Sequence, residues 1–165
     1  EPEVLMDGSH NIDKCFKVTT DVLNECYNEL ELHKVDLKGT VLKPNMIIHG
    51  SDCKDKSSSE EIAKKTLDCL KKNVPNEVPG IAFLSGGQSE IEASKNLNAI
   101  NKINDSNFLI TFSYGRGLQA SALKEFGRNQ NNIESIQKAF NHRAKMNGLS
   151  SKGEWAEDLE KGSVA

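Results

Sequence analysis

The chain reads as an α/β protein made of repeated strand–loop–helix units, the grammar of a parallel sheet or a (β/α) barrel. Three apolar runs carry that reading: Gly39-Thr40-Val41-Leu42, Gly80-Ile81-Ala82-Phe83-Leu84 and Phe108-Leu109-Ile110-Thr111-Phe112. Each runs into polar or glycine-rich residues, and a stretch with helical apolar spacing follows. In barrels of this kind the functional residues stand at the carboxyl ends of strands, and the last loops often hold phosphate.

Residues 1 to 10 read as a strand end and a loop, with Asp7-Gly8 as a turn. A first helix is predicted from about Asn11 to Leu32, because Cys15, Val18, Val22, Cys26 and Leu30 recur at helical spacing. Asp36 to Gly39 turns into the first strand, and a loop runs from Pro44 to Ser57. Ser58 and Glu61 fit a capping box at the start of a second helix, with Ile62, Leu67 and Leu70 as its apolar face. Val74-Pro75 to Pro79-Gly80 closes that helix and leads into the second strand. A third helix is expected from about Ser89 to Ile103, with Ile91, Leu97 and Ile100 facing inward. After the third strand come a short helix, Leu118 to Phe126, packing through Ala120, Ala122 and Leu123, and a longer one from about Asn132 to Met146. From Asn147 the chain is polar and holds Gly148 and Gly153, so residues 147–165 are expected to form a mobile tail. Trp155 in that tail reads as a docking side chain.

A chain of 165 residues can bury one real core. Its 36% hydrophobic and 27% charged residues fit a soluble globular class, and a net charge of −3 with scattered lysines disfavours nucleic acid. No apolar run approaches the roughly 20 residues of a membrane span, and no signal-peptide pattern is seen. The four cysteines form no CxxC pair. Cys15 and Cys26 share the first predicted helix at a separation of roughly 16 Å, too far for a disulfide. Reduced thiols, a cytoplasmic location and no membrane partner are expected. His10, His33, His49 and His142 lack ligand spacing, so neither a metal nor another cofactor is expected.

The chemistry centres on Lys43. Thr40-Val41-Leu42 carries it in, and Pro44 biases it toward an extended backbone at the end of the strand. A lysine in an apolar setting gives up its proton more easily than a solvated one, and a neutral amine can form a Schiff base with a carbonyl. Ser85-Gly86-Gly87 offers backbone N–H groups beside a helix start, a setting that suits phosphate. Arg116, between Gly115 and Gly117 and again just before a helix, can fork onto phosphate oxygens. Glu1 and Glu3, beyond another predicted strand end, place carboxylates where they can shuttle protons.

These segments resemble the class I fructose-bisphosphate aldolases. The resemblance rests on Glu1-Pro2-Glu3, Leu42-Lys43-Pro44-Asn45-Met46, Phe83-Leu84-Ser85-Gly86-Gly87-Gln88-Ser89-Glu90 and Thr111-Phe112-Ser113-Tyr114-Gly115-Arg116. Leu97-Asn98-Ala99-Ile100-Asn101 and Leu118-Gln119-Ala120-Ser121-Ala122-Leu123 add to it, in order and in register as far as Met146. It implies a TIM (β/α)8 barrel of which residues 1–165 are the C-terminal half, supplying roughly strands six to eight and their helices. Glu1 would then end strand five, and an N-terminal half would complete the barrel. It implies Lys43 as the Schiff-base lysine, Glu1 as the acid/base carboxylate and Glu3 as its neighbour. It implies Ser85, Gly86, Gly87, Ser113, Gly115 and Arg116 around the C1-side phosphate. Gly117 departs from the family, where alanine is usual, and should loosen the helix start.

The resemblance also implies a glycolytic lyase acting on fructose 1,6-bisphosphate and triose phosphates, without a metal, as a homotetramer. A different reading is a catalytically incomplete piece that serves as a binding module for a cytoskeletal partner or an adhesin tail. A third is another Schiff-base lysine barrel working on a different phosphosugar.

Overall fold

The computed structural model describes residues 1–162; residues 163–165 of the expected tail lie outside the described residues. The helices and strands run in the order α1 (Ile12–Leu32), α2 (Ser59–Asn73), β1 (Gly80–Phe83), α3 (Glu90–Ile103), β2 (Leu109–Phe112), α4 (Arg116–Arg128) and α5 (Ile133–Ser150). Single 3₁₀ segments lie at Leu37–Gly39 and Glu157–Gly162.

The strands β1 and β2 pair in parallel, with Ile81 opposite Ile110 and Phe83 opposite Phe112. The first expected strand is reduced to an isolated parallel bridge between Leu42 and Ile81. Its backbone still follows β1. Leu42 N–H donates to Gly80 O at 3.1 Å, Ala82 N–H to Leu42 O at 2.8 Å, and Leu84 N–H to Pro44 O at 3.2 Å. Pro44 has no N–H to return, so the ladder stops being reciprocal there.

One face of this ladder carries the core. Ile81, Phe83 and Ile110 pack with Leu97 and Ile100 of α3, Ile62, Leu67 and Leu70 of α2, and Leu23 of α1. Phe83 is 0% exposed at the centre. On the other side Leu109 is 78% exposed, and Val41 is exposed too. No helix among the described residues is long and apolar enough to cross a membrane.

Several local expectations shift. The buried seam of α1 is Ile12, Cys15, Thr19 and Leu23, whereas Cys26 and Leu30 line an open groove with Val41 and Leu42. Ser58 caps α2 by accepting from Glu61 N–H at 3.2 Å, but the reciprocal capping box forms at α3, between Ser89 and Glu92. Ile91 is exposed rather than inward, because the α3 seam follows Ala93, Leu97 and Ile100. In α4 only Ala122 of the expected face is buried, and Leu123 is exposed. Helix α5 continues to Ser150, four residues past its expected end.

The polar segment after Met146 is packed rather than unattached. Trp155 is 6% exposed. Its backbone N–H donates to Asn98 Oδ1 at 3.0 Å and its indole N–H to Glu160 Oε1 at 2.7 Å. Arg143 of α5 holds the same carboxylate at 2.7 Å. A few specific bonds therefore fasten a stretch whose composition alone suggests a tail. Burial opposes the charge on Glu160, yet the bonds from Arg143, Trp155 and His142 outweigh it and hold the carboxyl below its ordinary 4.5.

Two outcomes follow. Phe83→Ala should cost about 3–5 kcal/mol of stability, read by urea unfolding. A carboxyl with a lowered folded value stabilises above its unfolded value and loses that contribution as pH falls through the lowered one. The contact between Trp155 and Glu160 should therefore still hold at pH 4.5 and open only as pH falls through the lowered folded value. The chain's single tryptophan should report this as a red shift of emission that Glu160→Gln removes from the acid titration.

Candidate active site

The register brings the ends of three parallel segments to one edge. Lys43 follows Leu42, which bridges Ile81, and Ile81 pairs with Ile110. Ser85 lies just beyond β1 and Ser113 just beyond β2. Ser113 N–H donates to Phe83 O at 3.0 Å, which ties the two strand ends together.

The ammonium of Lys43 sits 2.7 Å from Glu1 Oε1, and the lysine side chain is 28% exposed. The apolar surround expected for this lysine is thus replaced by a carboxylate at a half-open position. The hydrogen bond from Lys43 holds the Glu1 carboxyl below its ordinary range. Asn45 sets this meeting up. Its Oδ1 accepts from Val4 N–H at 2.8 Å and draws the first residues against the strand end. Its Nδ2 donates to Thr19 Oγ1 at 3.2 Å and to Met46 O at 3.0 Å. Sequence reasoning gave Asn45 no part; an amide directly after a strand-ending Lys-Pro, in an otherwise apolar run, was the signal.

Glu3 and Met6 lie against the glycine loop. A Cβ on Gly86 would sit 3.0 Å from Leu84 Cδ1 and 3.8 Å from Glu3 Oε1, and one on Gly87 would sit 3.7 Å from Met6 Sδ. Both glycines have positive φ, +58° and +97°, where a side chain is strained. Ser85 is buried, and its carbonyl accepts from Gln88 N–H at 3.0 Å and Gln88 Nε2 at 3.3 Å. Asn96 Nδ2 donates to Gln88 Oε1 at 2.7 Å, so a buried amide pair shapes the loop from below.

Gly115 precedes α4, with no side chain accepting from the helix's first N–H groups. Helices α1, α2, α3 and α5 each have such an acceptor: Asn11, Ser58, Ser89 and Asn132. Arg116 is the exposed first residue of α4, and Ser113 is exposed beside it. Open N–H groups, a helix dipole and a guanidinium together favour an anion. The edge thus carries an amine against a carboxylate, a side-chain-free loop and an uncapped helix start. No group of three or more His, Cys, Asp or Glu side chains among the described residues is arranged to hold a metal.

The family model described as glycolytic, fructose-bisphosphate aldolase class-I, matches residues 1–165. Fructose-bisphosphate aldolase 4, cytosolic, of Arabidopsis thaliana is 50% identical over 166 residues, covering 100% of this chain and 42% of the relative. The fructose-bisphosphate aldolase of Dictyostelium discoideum is 42% identical, covering 100% of this chain and 46% of the relative. A solved structure of the Plasmodium falciparum aldolase, in complex with TRAP and a small-molecule inhibitor, matches with a TM-score of 0.91 and 41% identity. That match covers 94% of this chain and 45% of the Plasmodium chain. The chain spans about half the length of the relatives it matches. Its helix-rich α/β architecture is that of a partial TIM barrel, and the chain belongs to the class I fructose-bisphosphate aldolase family.

Proposed function

We propose that these residues supply the Schiff-base lysine and the C1-phosphate pocket of an aldolase that cleaves fructose 1,6-bisphosphate to dihydroxyacetone phosphate and glyceraldehyde 3-phosphate. The contact of Lys43 with Glu1 at 2.7 Å carries the reading. Lys43 must lose its ammonium proton before it attacks, and Glu1 is the carboxylate that stands against it. The amine adds to the C2 ketone, and loss of water leaves an iminium. Glu1, with Glu3 beside it, acts as acid and base. It accepts the C4 hydroxyl proton as the C3–C4 bond breaks, and the electron pair moves into the iminium to give an enamine. Glyceraldehyde 3-phosphate leaves. Protonation at C3 and hydrolysis then release dihydroxyacetone phosphate and restore Lys43. Ser85, Gly86, Gly87, Ser113, Gly115 and Arg116 hold the C1 phosphate through N–H groups, hydroxyls and the guanidinium. The iminium is the electron sink, so the route needs no metal or other cofactor.

Residues 1–165 act in this reading as the C-terminal half of the barrel domain, completed by an N-terminal half, in a cytoplasmic homotetramer. Relatives named as a cytosolic aldolase and as a complex with TRAP support the location and a second reading. In that second reading the chain serves as a binding module for an adhesin tail or a cytoskeletal partner.

In the full chain, Lys43→Met should remove the borohydride-trapped imine and lower turnover more than about a thousandfold. Arg116→Ala should raise KM for fructose 1,6-bisphosphate roughly 10- to 100-fold, the worth of a charge-assisted bond to phosphate. Retained trapping in the first variant, or an unchanged KM in the second, would overturn the corresponding role.

A further inference from the structure

Tyr114 stands between Ser113 and Gly115, in the middle of the candidate phosphate loop. Its ring packs on Phe112 with centroids 4.1 Å apart. It also covers Gly117: a Cβ there would meet the ring at 1.8 Å. The missing methyl at 117 therefore makes a seat for the tyrosine, a consequence different from the looser helix start expected of it. The Tyr114 hydroxyl donates to Asn147 Oδ1 at 2.6 Å, and Ser94 Oγ donates to the same oxygen at 3.0 Å.

Below Ser94 lies Arg143, 2% exposed. Its Nη1 donates to Ser94 Oγ at 3.0 Å and to Glu160 Oε1 at 3.0 Å, and its Nη2 to Glu160 Oε2 at 2.7 Å. The Glu90 carboxylate stands 3.6 Å from Nη2 and accepts from Ser121 of α4. A buried guanidinium is costly to keep unless its partners are fixed. Here they reach the loop before α4 through Tyr114 and the body of α4 through Ser121.

We propose that Tyr114 is a positioning residue for the Ser113–Arg116 anion loop, held by the relay Asn147–Ser94–Arg143–Glu160 that ties this loop to the C-terminal turn. The proposal rests on reading that loop as a phosphate site. Burial pushes the Tyr114 hydroxyl above its ordinary value, so it remains a donor at neutral pH. A ring held at both ends fixes the backbone on either side of it, and pre-set N–H groups bind an anion without the cost of ordering them.

The test uses the full chain and inorganic phosphate, followed through the amide resonances of Ser113, Gly115 and Arg116. Tyr114→Phe removes one hydroxyl and keeps the ring; Gly117→Ala pushes the ring from its seat. Each should raise the phosphate Kd roughly three- to tenfold, and Glu160→Gln about twofold. With fructose 1,6-bisphosphate, Tyr114→Phe should raise KM by a similar factor and leave kcat and the trapping of unphosphorylated dihydroxyacetone unchanged. Unchanged phosphate affinity in both loop variants would overturn the proposal. So would a loss of phosphate binding and dihydroxyacetone trapping in equal measure, or a parent chain whose loop amides ignore phosphate. If the parent chain binds phosphate but traps no carbonyl compound, the Schiff-base reading fails and the phosphate titrations still decide the part played by Tyr114.

Discussion

The parallel register joining Leu42, Ile81 and Ile110 is the constraint on which the candidate site depends. Backbone hydrogen bonds fix how far each segment travels before it ends, and a slip of one residue would turn every side chain to the opposite face. Lys43, Ser85 and Ser113 share an edge only because these ladders end together. The core enforces the same register, since Phe83, Ile81 and Ile110 are buried only when they face α2 and α3.

Apolar packing sets the register, and buried polar side chains set the loops. Asn45 uses its carbonyl on Val4 and its amide on Thr19 and Met46, so each end of one side chain is occupied. Gln88 does the same under Ser85, its amide on Ser85 O and its carbonyl on Asn96. Such groups are costly to bury without partners. Once partnered, they admit few alternative geometries. The glycine backbone above them can then bend at Gly86 and Gly87 without a side chain to place.

What was legible in the sequence was what depends on neighbours along the chain. Apolar runs that stop at Lys43, Ser85 and Ser113 marked the strand ends, and Asn11 and Ser58 marked helix starts. Less legible was anything decided by rotation or distance. The buried seam of α1 lies to one side of the expected one, through Ile12, Cys15, Thr19 and Leu23, and its Cys26–Leu30 side faces an open groove. Ile91 looked inward by composition, but the α3 seam passes it by. Trp155 reads correctly as a docking side chain, yet its partners Asn98 and Glu160 come from different parts of the fold. The bond from Tyr114 to Asn147 spans 33 residues, and no local pattern announces it.

The proposed chemistry puts the reactive amine at the end of the Leu42 segment. Borohydride reduction of the full chain with dihydroxyacetone phosphate, followed by peptide mapping, tests this most directly. A single adduct on the peptide that contains Lys43 is the predicted result. An adduct on another lysine, with Lys43 unmodified, would contradict it.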